Sequence, residues 1–284
     1  MMSSIIDNQD LRSRAGGKKT AAPRGQGFFA RWSAAAGTAL LVGIILLVYE
    51  LCTDVFGLLD AMLFPGLGKI GAALVRSLPQ LFESCASSMS LLIPGYIIGA
   101  LSGIVLGVFV AMHPWLQRAV RPLIFALSPV PPSMLTPYLI AVLPTFYASS
   151  VAIIFLGVFW PYLVGTITGI NLIDKKYLDN AEILQLKGAR KLFFVILPAA
   201  APHILSGAGT ALTFSFILLT VAEMFATDSG LGHFIQYYAD FSDYARVLAG
   251  LFFTAVVFVC IMLVYEYIKR KTLFWMLYGA ANGR

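Results

Sequence analysis

The charges in the middle of this chain are gathered in one place. No formal charge stands between Arg121 and Asp174, and then Asp174, Lys175, Lys176, Asp179, Glu182, Lys187, Arg190 and Lys191 follow within 18 residues. Among them Tyr177, Leu178, Ala181, Leu184, Leu186, Leu192, Phe193 and Val195 recur near helical spacing, which predicts one amphipathic helix or a pair of short ones. The chemistry open to such a surface is ion pairing and apolar docking against another protein, or simple solvation of a loop. A second suspect is Glu223, a carboxylate at the margin of an apolar run, where an unpaired charge is costly. Two roles stay open for it: capping a bend into the next loop, or touching a passing solute or gate.

Catalysis has no comparable candidate. Cys52, Cys85 and Cys260 are scattered without paired spacing, so neither a zinc site nor a disulfide framework is indicated. His113, His203 and His233 stand apart from one another. The phosphate-cradling sequence Gly-x4-Gly-Lys-Ser/Thr does not occur, so no ATP site and no cofactor or metal is expected in this chain. No nucleic-acid module is found, and the net charge of +6 is accounted for by membrane orientation.

The elements that carry these residues are set by composition. Of 284 residues, 59% are hydrophobic and 12% charged, whereas soluble domains are about a quarter charged. The chain therefore reads as an all-α integral membrane protein. Six apolar segments are long enough to span a bilayer, near 34–56, 86–112, 122–143, 149–171, 203–226 and 246–268. With a cytoplasmic N-terminus, 17 of the 20 Lys and Arg fall inside and only Lys69, Arg76 and Arg246 outside, as the positive-inside rule requires. Residues 1–33 read as a disordered basic cytoplasmic tail facing anionic lipid, with a lead too extended for a signal peptide. A six-helix transmembrane domain then runs 34–275, with a cytoplasmic loop at 172–200 and a short tail at 276–284. The linker from Leu58 to Phe82, punctuated by Pro65 and Pro79, predicts a helix lying on or near the outer surface.

Two spans have special texture. Gly95, Gly99, Gly103 and Gly107 form a four-residue repeat on one face of the second, which permits close helix packing in lipid. The third carries prolines at 122, 129, 131, 132 and 137, too many for a straight helix. Broken backbone at membrane depth is affordable only beside protein or a water-filled cavity, so this region is a candidate lining of a path. Ser206, Thr210, Thr213, Ser215 and Thr220 add hydroxyls along the fifth span.

The stretch from Trp160 to Pro202 resembles the cytoplasmic loop of importer permeases of the ATP-binding-cassette class. Their signature is Glu-Ala-Ala, a Gly six residues after the Glu, then Leu-Pro. The longer pattern of the sulfonate, taurine and nitrate branch is matched in register by Trp160-Pro161, Gly165-Thr166, Gly169, Asp174, Leu178-Asp179-Asn180-Ala181 and Leu197-Pro198 through Pro202. Asp179 replaces the Glu, Asn180 the first Ala and Gln185 the Gly. Arg121, Val130-Pro131-Pro132 and Pro137-Tyr138 match a second family segment, although Val142-Leu143-Pro144 replaces its aromatic triplet and Ser150 its later Lys. Ala222-Glu223-Met224 and Gly230-Leu231-Gly232 match a third.

The resemblance covers about residues 58 to 275 and implies a six-helix, type I importer permease (MetI-like) fold in a bacterial cytoplasmic membrane, both termini inside. It implies a second permease copy, two cytoplasmic ATPases that bind ATP and Mg, and a periplasmic or lipid-anchored solute-binding protein. ATPase coupling would then fall to Asp174, Lys175, Leu178, Asp179, Asn180, Ala181, Gln185, Lys187, Gly188, Arg190 and Pro198. Pro131, Pro132, Thr136, Tyr138, Thr213, Ser215, Thr220 and Glu223 would line the path of a small anionic solute. The rival reading is an ion-coupled secondary transporter or channel working without an ATPase, which predicts buried charge in mid-span.

Overall fold

In the computed structural model of the chain, residues 37, 40–57, 59, 60, 62–127 and 130–274 are described. The tails expected at 1–33 and 276–284 lie outside them. Every regular element among the described residues is helical. The chain divides into two units, Met1–Leu58 and Leu59–Arg284. In the first, helix α1 (40–50) runs into a π-turn, Leu51–Val55, where the Thr53 hydroxyl donates to Tyr49 O at 3.0 Å. Leu40, Leu41, Ile44 and Ile45 of α1 are exposed, as suits a surface in lipid. The crossing expected over 34–56 begins outside the described residues.

The second unit contains α2 (Leu67–Met112), α3 (Pro114–Leu127), a 3-10 turn (Pro132–Leu135) and α4 (Thr136–Val142). There follow α5 (Phe146–Asn171), α6 (Lys175–Ile183), α7 (Gly188–Lys191), a π-turn (Leu192–Ile196), α8 (Leu197–Ala226), α9 (Leu231–Asp240) and α10 (Tyr244–Thr272). Among the described residues four helical stretches are long and apolar enough to cross a membrane: α2, α5, the run Gly188–Phe225 and α10. A fifth crossing is available if α3 and the Pro132–Val142 piece, which meet at 79°, count as one broken span. Together with the apolar α1, this is as far as the described residues go toward six.

Helix α2 departs from the sequence reading. A separate outer-surface helix was expected over 58–82, but residues 67–85 continue the same helix as the span, past Pro79 and Pro94. At about 1.5 Å per residue its 46 residues reach about 69 Å, more than twice a bilayer's hydrocarbon core. The extension is held by tertiary packing, with Leu74, Leu81 and Cys85 against Leu231, Phe234, Ile235 and Val247. Each proline removes only one ladder bond, which this packing offsets.

Close approaches fix the helix directions. A Cβ on Gly95, Gly99, Gly103 or Gly107 would lie 2.7–2.8 Å from Ile154, Val158, Tyr162 or Thr166 respectively, so α2 lies directly on α5. The two numberings rise together, hence α2 and α5 run parallel. Gly169 faces Ala200 and Gly165 faces His203, so α8 runs antiparallel to α5. Phe216 stacks on Phe258 with centroids 4.1 Å apart, and Gly209 meets Tyr265, so α10 reverses again. Met112, Asn171, Leu197 and Thr272 therefore share one side, called here the loop side. The chain between Met112 and Phe146 must recross, and it does so through the broken α3–α4 segment.

Lipid tails are as apolar as leucine, so burial alone does not drive such helices together; small residues and interhelical hydrogen bonds do. The glycine contacts supply the first. The second comes from Tyr96, whose hydroxyl pairs with that of Tyr162 at 3.0 Å and donates to Ala208 O at 3.1 Å, joining α2, α5 and α8. Tyr265 of α10 adds a bond to Leu205 O. Leu91, Ile154, Val158, Ala211, Leu212 and Leu219 fill the space between them.

Candidate functional site

Helix α5 presents Gly157, Pro161, Val164 and Thr168 on one face. The opposing walls are the 130–133 segment and the face of α8 that carries His203, Ser206, Thr210, Phe214 and Ile217. Between them runs a groove of about 640 Å³. Its polar groups are uncharged hydroxyls of Ser133, Thr168, Ser206 and Thr210 and the His203 imidazole. Pro131 and Pro132 are what open it: lacking amide donors, they turn the backbone between α3 and α4 instead of closing it into helix. A pocket that is largely apolar with a few convergent polar groups is the usual form of a small-molecule site.

The residues expected on the path are not all brought together. Pro131 and Pro132 line the groove. Thr213 is exposed beside it, with its hydroxyl given to Gly209 O at 3.2 Å. Ser215 is fully buried and bonded to Leu212 O at 2.7 Å, and Thr220 bonds Phe216 O at 3.0 Å. Thr136 is buried and Tyr138 exposed, neither among the groove's walls. Thr168 was not singled out from the sequence, and His203 was noted there but not placed on the path. Positions 203, 206, 210, 214 and 217 trace one helical stripe, a spacing that could have separated them from the buried Ile204, Ala208, Ala211 and Ala222.

Glu223 is 1% exposed and sits at the far end of α8 from the loop side. Its Oε2 accepts the Gly232 amide at 2.7 Å, while the neighbouring Leu231 amide donates to Ser88 Oγ at 2.9 Å. The carboxyl thus ties the end of α8 to the start of α9. Gly230, at φ +120°, has no room for a Cβ because the carboxyl occupies that space. Glu223 Oε1 is buried without a hydrogen-bond partner among the described residues.

On the loop side, Asp174 caps α6 by accepting from Lys176 N at 3.0 Å. The helix ends in a Schellman motif: Leu186 N donates to Ala181 O and Gln185 N to Glu182 O, both at 2.9 Å. Gln185 takes the left-handed position, φ +51°, which glycine usually fills. Ala181 is buried and Leu178 half-buried against the bundle, while Asp174, Lys175, Asp179, Asn180, Gln185, Lys187, Gly188, Arg190 and Pro198 are exposed. Lys191 and Glu182 approach to 3.6 Å across the turn, an exposed pair of small energetic value. Around them Ile183, Leu184, Phe193 and Phe194 are all more than 60% exposed. A hollow of about 350 Å³ opens beside them, between Tyr177 and Asn180 of α6 and Phe194 and Pro198.

A groove through the spans and an exposed helix at their loop-side end are thus built by one polypeptide. The chain is 32% identical over 181 residues, 64% of its length, to the putative aliphatic sulfonates transport permease protein SsuC of Bacillus subtilis. It is 27% identical to the nitrate import permease protein NrtB of Leptolyngbya laminosa over 62% of its length. Identity is also 27% to the taurine transport system permease protein TauC of Escherichia coli, over 69% of this chain and 71% of that one. The first two alignments span 66% and 63% of those relatives, just under two thirds. The family model for the inner membrane component of binding-protein-dependent transport systems matches residues 103–273, which include the broken α3–α4 crossing, the groove, the loop helix and the Glu223 turn. On that match this integral membrane chain belongs to the family of binding-protein-dependent transport system inner membrane components.

Proposed function

We propose that the chain is the membrane-spanning permease of an ATP-driven importer for a small anionic solute. In this reading two copies face each other across the α5–α8 groove, and a soluble ATPase seats on α6 and the 184–194 turn of each copy. ATP and Mg²⁺ belong to that ATPase, and an extracytoplasmic binding protein delivers the solute. The loop side is cytoplasmic, since ten of the thirteen described Lys and Arg lie on it. The solute class is carried over from the printed names of the relatives, which transport sulfonates, nitrate and taurine.

The observation that carries the reading is the exposure of Ile183 and Leu184 between the spans, interleaved with charges, with Phe193 and Phe194 exposed in the first turns of the next crossing. Apolar side chains that lipid cannot cover mark a protein contact. Work is transmitted only if the ATPase pair, closed on ATP, binds one arrangement of the loops better than the other, because a ligand shifts an equilibrium by no more than that difference. A carrier or channel without an ATPase would need charge in mid-span. Among the described residues the one buried charged side chain is Glu223, which is tied to a turn.

The test is reconstitution with the ATPase purified from the same membrane. Uptake into liposomes should require ATP and the binding protein. Solute flux through the purified chain alone, without nucleotide, would overturn the proposal.

A further inference from the structure

The central groove does not stop at the Pro131–Pro132 turn. A second chamber of about 480 Å³ lies toward the loop side, between α3, the end of α2 and the last turns of α5, and it shares Val164 and Thr168 with the first. From Gly157 to Leu172 the two cover about 22 Å of α5, most of a bilayer core. The polar groups of the loop-side chamber are Arg118, Arg121, Gln117, Asn171 and Thr168.

Among the described residues no carboxylate lines either chamber and neither arginine has an ion pair. The one hydrogen bond found there for either guanidinium runs from Arg118 Nε to Pro114 O at 3.3 Å. Asp174, the acid nearest Asn171 in sequence, is engaged in capping α6. Two positive charges therefore face one open chamber, whereas the larger chamber has no Lys or Arg on its walls.

We propose that Arg118 and Arg121 form an anion-holding exit site at the loop-side end of the groove. The site gives the path its preference for negative charge and holds the solute transiently as it leaves. Both arginines are exposed, and the chamber is large enough for a small anion with much of its hydration, so contact is weak and release fast. Clefts lined by one sign of charge raise the local concentration of the opposite sign about tenfold or more. This rests on reading the groove as the solute's route and adds the residues that set its charge preference. A phosphate headgroup of a membrane lipid offers the same chemistry from a different source.

The experiment places a reporter thiol in the groove as Thr168→Cys, with Cys52, Cys85 and Cys260 changed to Ser, in phosphatidylcholine vesicles. Anionic sulfonatoethyl and cationic trimethylammonioethyl methanethiosulfonates are added to the loop side, and their modification rates are compared. The anion-to-cation rate ratio should fall about tenfold with Arg118→Gln and Arg121→Gln together. It should survive Arg118→Lys with Arg121→Lys, which separates charge from folding. Potassium nitrate should slow the anionic reagent more in the arginine protein than in the Gln variant. A ratio indifferent to the Gln substitutions overturns the proposal. So does one that collapses when phosphatidylglycerol is added to the vesicles, since lipid then owns the site. Modification needs no ATPase, so this result is independent of whether transport proves to be ATP-driven.

Discussion

Glu223 Oε2 accepts the Gly232 amide at 2.7 Å, so a carboxylate at the end of one spanning helix holds the first turn of the next element. The same carboxyl fills the space beside Gly230, and Ser88 of α2 takes the Leu231 amide from the other side. Ala-Glu-Met and Gly-Leu-Gly, separated by five residues, are two halves of one structure.

Glu223→Ala strands the buried Gly232 amide, a loss of about 1–3 kcal/mol, and thermal unfolding of the detergent-purified chain should show it. Glu223→Gln keeps an acceptor in place and should lose less. If the carboxylate instead touches solute, Glu223→Gln will abolish uptake at an unchanged melting temperature, and the turn-holding role fails.

Gln185 sits at φ +51° where the Schellman turn favours glycine. A left-handed conformation costs an L-residue roughly 1–2 kcal/mol, offset in part by glycine's greater entropy when unfolded. Gln185→Gly should therefore leave the loop equally or more stable, and Gln185→Ile should weaken it. Limited proteolysis at residues 183–190 reads the difference, and greater susceptibility of the Gly variant would contradict the motif.

Much of this was legible beforehand, for reasons that differ by residue. The four-apart glycines of α2 announced a flat face, because no other role needs that period. The helix α6 was legible through the apolar residues recurring among its charges and the matching intervals around it, whereas the capping role of Asp174 was not. The groove wall on α8 was not, since hydroxyls occur on every face and Ser215 and Thr220 look no different from Ser206 and Thr210 until burial is known. The continuity of α2 through Pro79 was hidden because its cause is tertiary: the partners Leu231, Phe234 and Val247 are more than 140 residues away in sequence.

The glycine face makes a paired prediction. In Gly103→Ala the new Cβ would lie 2.7 Å from Tyr162 Cβ and 2.8 Å from Phe159 O, a clash with backbone that forces α2 and α5 apart at about 1–3 kcal/mol. Gly71 lies in the same helix with nothing within 4 Å, so Gly71→Ala should gain up to about 1 kcal/mol from helix propensity. Melting temperatures moving in the same direction for both would refute the close-packed interface.

Leu184 and Phe194, 68% and 76% exposed at the loop, can be changed with little effect on the chain's own stability, because exposed side chains usually matter by less than about 0.5 kcal/mol and Leu184 caps α6 through its backbone alone. Their value should appear only on docking. Burying a Leu or Phe side chain is worth about 1.5–3 kcal/mol, so Leu184→Arg or Phe194→Arg should weaken capture of the soluble ATPase roughly tenfold or more each. Asp179→Lys reverses one of the interleaved charges and should add to the loss. Co-purified ATPase and its stimulation by the reconstituted permease are the readouts, with the melting temperature of the lone chain as control. If all three variants hold and stimulate the ATPase as the unmodified chain does, α6 is not the point at which force enters the bundle.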